Sequence, residues 1–345
     1  MSVDRLKELL DAAVKLELAT IPPYLCALYS IHPHGNDEAK LVIRSVVVEE
    51  MLHMVLAANV MNAIGGEPRV AGPDNAPRYP HELPDGVVLH LLPFSPAAVE
   101  AFLTVENPGH HSDHASADPE HPVPPDRRHE THVAHSTKAT AARPGTIGEF
   151  YAEIEQLLRE TAAEIGERAL FCGDPARQVS REYYYAGGGR VLEVTDLASA
   201  TRALDEIVEQ GEGDMGSMFD DDADLAHYYR FQQLKHNRAY VASDTDVPTG
   251  PELDVDFGAV YPMIENPRAD EYADPDLRAA SDAANRTWSE LLVQIDEAFD
   301  GHPSALVPAV HSMFRLRDLM LVLLANPLPD HPGRNAGPTF DWTDP

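Results

Sequence analysis

Residues 41–64 form a long segment in which apolar side chains occupy all but seven positions. A helix that is apolar on every side lies in the interior of a protein. Glu50 and His53 are three residues apart, so a helix places them next to each other on one face. A buried carboxylate is costly unless it is paired or bound to a metal, and Glu-x-x-His is the repeating unit of carboxylate-bridged metal sites in helical bundles. The segment therefore predicts an all-α protein built around a metal site.

The first predicted helix, residues 3–30, carries one charge within its apolar stripe. The residues at helical spacing are Leu6, Leu10, Glu17, Tyr24 and Leu28,. Glu17 is thus a second candidate for a buried acid. Pro22 and Pro23 are expected to kink or interrupt this helix, because proline lacks an N–H group.

The hydrophobic pattern predicts a four-helix bundle core with long insertions between its helices. The bundle is expected over residues 1–243, with helices at about 3–30, 37–64, 146–171 and 220–243 and insertions at 67–145 and 172–219. A separate helix is predicted over 197–210. Residues 244–345 are expected to add two helices, about 275–299 and 303–325, and a Pro-rich tail packed on the same domain.

A site for two metals of this type needs single acids from two helices and acid-x-x-His from two others. The candidate ligands are Glu17, Glu50, His53, Glu149 or Glu153, Asp224 and His227. Carboxylates with imidazole suit iron or manganese and leave positions open for dioxygen. We therefore expect two iron ions, with manganese as the alternative. Tyr24 and Tyr151 lie close in sequence to these ligands and are the candidate catalytic residues.

Each of these assignments has an alternative. Glu17 could form a buried salt bridge with an arginine such as Arg44, and His53 could be a core histidine with its hydrogen bonds satisfied. Asp224 and His227 could be a helix cap followed by a surface histidine. Seven of the seventeen histidines fall within residues 109–136, which reads as a solvated polar loop or as a second metal site,.

The net charge of −31, with only five lysines, argues against binding to nucleic acid or to anionic membranes,. Two cysteines make no disulfide framework, and no signal peptide or membrane-spanning apolar run is recognised,. A cytoplasmic protein is therefore expected. Its expected partners are a small-molecule substrate and dioxygen, and association into a homo-oligomer is left open.

Residues 16–25, 49–53 and 59–68 resemble the ferritin-like domain of the iminophenyl-pyruvate dimer synthase group, which includes the ferritin-like part of the violacein and rebeccamycin pathway enzymes. Further similarity lies at 146–151, 224–231 and 336–340. The resemblance implies a ferritin-like core and a metal-dependent oxidative role in secondary metabolism. It also favours Glu149 as the acid of the third helix. This chain departs from the group's pattern at position 224, where Asp replaces the more usual Glu, and in its His-rich insertion.

Together these features favour a di-metal oxidase or oxygenase that acts on a small, amino-acid-derived substrate. One alternative is a metal-storage protein of the ferritin type. Another is a metal-free binding or structural protein that keeps the bundle and has lost the site.

Overall fold

The computed structural model describes residues 2–83, 86–108, 146–185, 187–213, 217–219 and 224–345. The helices in these ranges are α1 (Ser2–Ser30), α2 (Asp37–Ala63), α3 (Pro96–Val105), α4 (Ile147–Ile165), α5 (Glu167–Leu170), α6 (Leu197–Glu212), α7 (His227–His236), α8 (Pro275–Phe299) and α9 (Leu306–Leu324). Two short antiparallel strands, β1 (His81–Glu82) and β2 (Val88–Leu89), form the sheet of the described ranges. The all-α prediction is confirmed.

Helices α1, α2, α4 and α6 form the four-helix bundle. Helix α1 packs against α2 and α4, and α6 packs against α2 and α4, which closes the ring. The side chain of Thr146 accepts a hydrogen bond from the backbone N–H of Glu149 and so begins α4, whereas a capping box of Asp196 and Ser199 begins α6,. Both helices bury one apolar stripe and expose the opposite face, as expected of bundle helices,.

The fourth position of the bundle differs from the sequence prediction. It is occupied by α6, which the sequence suggested as a separate helix, and not by a helix over 220–243. The helix in that region is α7, which begins only at His227 and ends at His236, followed by Asn237 with a φ of 53°. Helix α7 packs mainly on α3 and also contacts α2 and α6. Residues 220–223 lie outside the described ranges. The proposed division of the chain at residue 243 stays a prediction.

Helix α1 continues through Pro22 and Pro23, so of the two expected effects, a kink or an interruption, the interruption does not occur. Pro23 has no N–H group to bond with the carbonyl of Ala19, four residues earlier. That carbonyl accepts a hydrogen bond of 2.7 Å from the hydroxyl of Tyr79 instead. The insertion between α2 and α3 therefore satisfies a backbone group that the proline leaves free.

Two buried asparagines of α2 fix the segment between α5 and α6. The side chain of Asn59 donates to the carbonyls of Val179 and Leu192, each at 2.9 Å, and accepts from the N–H of Val179. The side chain of Asn62 donates to the carbonyls of Arg177 and Phe299. These bonds explain why polar residues interrupt the apolar surface of α2.

Helices α8 and α9 pack on each other and cover α1 and α2 from outside the bundle. One continuous apolar cluster includes Leu18 of α1, Trp288 of α8 and Met320 of α9. The C-terminal tail is held on α8, where Asn285 exchanges hydrogen bonds of 2.8 and 2.9 Å with Thr339. Within the described ranges, no helix is both long and apolar enough to cross a membrane.

Candidate metal centre

Helices α1 and α2 place one acid and one Glu-x-x-His pair face to face in the bundle interior. The Oε2 atom of Glu17 lies 3.6 Å from Nδ1 of His53, and Oε1 of Glu50 lies 3.9 Å from the same nitrogen. The hydroxyl of Tyr151 donates a hydrogen bond to Glu17, and that of Thr20 donates to Oε2 of Glu50 at 2.6 Å. Each carboxylate therefore has one oxygen held by a hydroxyl and one facing the histidine.

The other half of the site comes from outside the four bundle helices. Glu106 is the residue that follows α3, and His227 is the first residue of α7. The Nδ1 atom of His227 lies 3.1 Å from Oε1 of Glu50 and 3.4 Å from Oε2 of Glu106. Tyr24 donates a hydrogen bond to the other oxygen of Glu106. The elements are held together by aromatic contacts among Tyr24, Phe102 and Phe231, with ring centroids 4.6 to 5.5 Å apart.

The five residues form two triads that share Glu50. Glu17, Glu50 and His53 make the first triad, and Glu50, Glu106 and His227 make the second. In each triad, one potential ligand atom per residue lies within 4.8 Å of the others. All five residues are at most 4 % exposed. A shared carboxylate between two carboxylate–imidazole groups is the arrangement of a site for two ions.

Both histidines turn Nδ1 toward the carboxylates of the two triads. Nε2 of His53 lies 2.9 Å from Oε1 of Gln210, whose amide nitrogen donates to the carbonyl of Gly188, so Nε2 carries the proton,. Nε2 of His227 lies 2.9 Å from Oε2 of Glu49, and the other oxygen of Glu49 accepts from Arg230 at 2.8 Å. The two imidazole rings stack with centroids 5.4 Å apart. Such outer hydrogen bonds orient an imidazole toward a metal.

The electrostatics of the site favour a bound cation. Burial raises the pKa of Glu17 to about 7, and burial together with the charge of Glu106 raises that of Glu50 to about 7,. Burial lowers the pKa of His53. Burial has the same tendency at His227, but Glu106, Glu49 and Glu50 outweigh it and raise its pKa well above the usual value.

One imidazole nitrogen of the site has no hydrogen-bond partner among the described residues. Nδ1 of His227 is buried and makes no hydrogen bond of acceptable geometry within these ranges, although two carboxylate oxygens lie nearby. A buried polar atom without a partner is costly. A divalent cation between Nδ1 and these oxygens would give it a partner and would also separate the clustered acids, so the residues present fit a metal.

The structure separates the predicted ligands into two groups. Glu17, Glu50, His53 and His227 lie together, and Tyr24 and Tyr151 bond to carboxylates of the cluster. Three acids lie elsewhere, namely Glu149, Glu153 and Asp224. Glu149 and Asp224 are exposed, whereas Glu153 is half-buried and lies 3.4 Å from Arg5.

Simple physical reasons explain why these three acids lie outside the cluster. On α4, Tyr151 occupies the inward position opposite Glu17, and Glu149 and Glu153 flank the apolar stripe. Asp224 precedes the start of α7, so its spacing of three from His227 does not place the two on one helical face,. The alternative salt bridge is not formed within the described residues, where Glu17 pairs with His53 and with no arginine, and Arg44 is exposed.

Sequence reasoning missed Glu106 as a member of the cluster. A signal was present, because Glu106 follows Phe102 by four residues and Val99 by seven, and so continues the buried stripe of α3,. Glu49, next to Glu50 in sequence, lies outside the two triads and contacts Nε2 of His227. The His-rich segment 109–136 lies outside the described residues.

The chain is similar in sequence to known ferritin-like proteins. A family model described as ferritin-like matches residues 10–236. Dichlorochromopyrrolate synthase of Lentzea aerocolonigenes is 24 % identical over 388 aligned residues, which cover 95 % of this chain and 35 % of that protein. The chain thus spans about a third of the length of this relative.

A solved structure gives the same fold. The crystal structure of a ferritin-like protein from Caulobacter vibrioides has a TM-score of 0.60 and 20 % identity, and the match covers 99 % of this chain and 98 % of that one. The resemblance inferred from the sequence is confirmed by these findings together.

Proposed function

The chain belongs to the ferritin-like family, and on this premise we propose that it is a non-haem di-metal oxidase or oxygenase. The observation that carries the proposal is the pair of buried carboxylate–imidazole triads that share Glu50. Glu17 and His53 would hold one ion, Glu106 and His227 the other, and Glu50 would bridge them. Hard carboxylates with imidazole suit iron, with manganese as the alternative. When bound, such a pair of ions supplies the electrons that reduce dioxygen.

The two tyrosines keep their catalytic assignment within this proposal. Burial raises the pKa of Tyr24 and of Tyr151 well above the usual value, and the neighbouring acids add to the rise. Both phenols are therefore protonated and donate to a terminal carboxylate, Tyr24 to Glu106 and Tyr151 to Glu17. In this position each hydroxyl orients its carboxylate and holds a proton that can be delivered inside a site closed to water.

The proposed substrate is a small organic molecule derived from an amino acid, in secondary metabolism. The similarity to dichlorochromopyrrolate synthase supports this class. Because the chain spans only 35 % of that relative, the coupling reaction itself is not carried over. Dioxygen would be the co-substrate, and the cytoplasm the proposed location. The charge of −31 supports a protein that binds neither nucleic acid nor membrane, and a homo-oligomer remains compatible with these features.

Metal content of variants tests the proposal. The full chain is purified without an affinity tag, loaded anaerobically with ferrous iron and analysed for bound metal. We expect two ions per chain in the parent, none or a weakly held one in Glu50→Ala, and one each in His53→Ala and His227→Ala. Dioxygen uptake by the loaded parent, lost in Glu50→Ala, then tests the oxidative role.

Two excluded acids provide matched controls. Asp224→Ala and Glu149→Ala remove carboxylates that lie outside the cluster, so both variants should retain two ions. Any metal bound by the histidines of residues 109–136 is common to parent and variant, so it cancels when their metal contents are subtracted. Equal metal content in the parent and in Glu50→Ala would refute the proposed centre. Two ions bound by the parent and lost in Glu50→Ala, without dioxygen uptake by the parent, would refute the oxidative role and leave a protein that only binds metal.

A further inference from the structure

A cavity of about 370 Å³ lies outside the bundle interior, between the α1–α2 pair and the α8–α9 pair. Its walls are mostly apolar, and the residues that matter here are Leu18, Leu25, Met51, Met54, Trp288 and Ala309. The Tyr183–Tyr185 segment closes one edge, where the hydroxyl of Tyr184 donates to the carbonyl of Val48 at 3.2 Å. The volume falls within the range of small-molecule sites, which are typically lined by apolar and aromatic side chains.

This cavity is separate from the metal centre, although both use the same two helices. Leu18 follows Glu17, and Met51 and Met54 follow Glu50 and His53. One residue along a helix turns the side chain by about 100°. The cavity therefore lies on the neighbouring face of α1 and α2, and its occupant would not contact the metal ligands directly.

The cavity has one positively charged end. Tyr29, Arg44 and Arg317 all line it. Burial raises the pKa of Tyr29, the charges of Arg317 and Arg44 oppose this rise, and the charge of Asp318 adds to it, so two guanidinium groups and one carboxylate lie near its hydroxyl. Arg44 makes no hydrogen bond or ion pair with any other described residue. Arg317 pairs with its neighbour Asp318 at 2.8 Å and lies over the ring of Phe314.

The shape of the cavity is elongated. Its wall on α1 extends from Leu18 to Tyr29, which is roughly 16 Å at 1.5 Å per residue,. Leu18 marks the apolar end and Tyr29 the arginine end. In a chain of net charge −31, an arginine that pairs with no acid of the described ranges, at the mouth of an apolar cavity, is complementary to an anion that carries an apolar chain,.

We propose that this cavity binds an amphiphilic carboxylate with an unbranched acyl chain, its tail toward Leu18 and its carboxylate between Arg44 and Arg317. The site goes beyond the proposed oxidase function and does not depend on it. The residues that line the cavity do not include any residue of the metal centre, so binding of the carboxylate should be the same with and without iron.

Tryptophan fluorescence of the full chain can measure binding, because Trp288 lines the cavity and the chain has only two tryptophans. Replacing Trp342 by Phe removes the other signal. Dodecanoate and dodecylammonium have equal chains and opposite charges. The acidic protein attracts the ammonium non-specifically, so a preference for dodecanoate would have to come from the arginines. We expect dodecanoate to bind at least tenfold more tightly than dodecylammonium, since a charge-assisted hydrogen bond corresponds to about tenfold in Kd.

Variants locate the binding. Arg44→Met and Arg317→Met should each weaken dodecanoate binding about tenfold and should not weaken dodecylammonium binding. Arg315→Met is the matched control, because Arg315 is exposed on α9 and pairs with Glu290 away from the cavity. Ala309→Phe fills the cavity and should abolish binding of both probes. The proposal is overturned if dodecanoate does not bind, if the ammonium binds equally well, or if the arginine variants bind like the control.

Discussion

Replacing Glu17 by glutamine should make the metal-free protein more stable and should weaken metal binding. Burial raises the pKa of Glu17 from 4.5 to about 7. A carboxyl group whose pKa is raised in the folded state makes its full contribution to the free energy of unfolding below pH 4.5,. This contribution is lost as the pH rises through 7,. The difference between the two pKa values corresponds to about 3 kcal/mol at 1.36 kcal/mol per pKa unit. The metal-free parent bears this cost at neutral pH.

Glutamine keeps the shape of the side chain and can still accept the hydrogen bond from Tyr151. It carries no charge at any pH, so the metal-free Glu17→Gln variant should exceed the parent by about 3 kcal/mol at pH 8 and by less than about 1 kcal/mol at pH 5. At about 2.1 cal/mol/K per residue, the unfolding entropy of this chain is about 0.7 kcal/mol/K, so the gain at pH 8 is about 4 °C in Tm.

Thermal unfolding followed by circular dichroism, after dialysis against a chelator at several pH values, measures this difference. Glu153→Gln is the matched control, since Glu153 is half-buried and paired with Arg5, and its Tm should follow the parent. Added ferrous iron should raise the Tm of the parent and of the control more than that of Glu17→Gln. A metal-free Glu17→Gln that is less stable than the parent at pH 8, or whose advantage does not grow between pH 5 and pH 8, would refute the reasoning.

Three further predictions concern the support of the site and the fold. Gln210→Leu removes the acceptor of the His53 Nε2–H and should weaken the first metal position about 10–100-fold in a metal titration, with the second position unchanged,. Gly173→Ala should lower the Tm by several degrees, because an added Cβ would clash with a backbone carbonyl at the end of α2, whereas Gly187→Ala meets open space and should not,. Thr146→Ala removes the N-cap of α4 and should cost about 1 kcal/mol in urea unfolding, with unchanged metal content,.

The parts of the site that the sequence predicts lie on the two longest helices. Glu17, Glu50 and His53 interrupt apolar stripes of α1 and α2, where the helical period is repeated over many turns. A single polar residue in such a stripe must face the interior. The same reasoning predicts the bounds of both helices to within one residue.

The rest of the site depends on tertiary placement that no helical period encodes. Asp224 and His227 have the spacing of a ligand pair, but spacing has meaning only within a helix, and α7 begins at His227. Glu106 lies just beyond a short helix in an insertion and reaches the site because α3 packs on α7. The choice between two acids on α4 failed for a related reason, since the inward position is filled by Tyr151.

The second triad depends on α3 and α7, and this has a consequence for the local unfolding of the chain. Helices α1 and α2 are anchored along their full lengths, whereas α3 and α7 are ten-residue helices at the periphery of the bundle. An ion held by Glu50, Glu106 and His227 would act as a removable cross-link between these helices and α2, and would close long loops of the chain. In the metal-free protein, amide hydrogens of α3 and α7 should exchange through local opening, well before those of α2. Metal loading should bring the three helices into one cooperative unit, so that hydrogen exchange at α3 and α7 reports occupancy of a site buried some distance from the amides themselves.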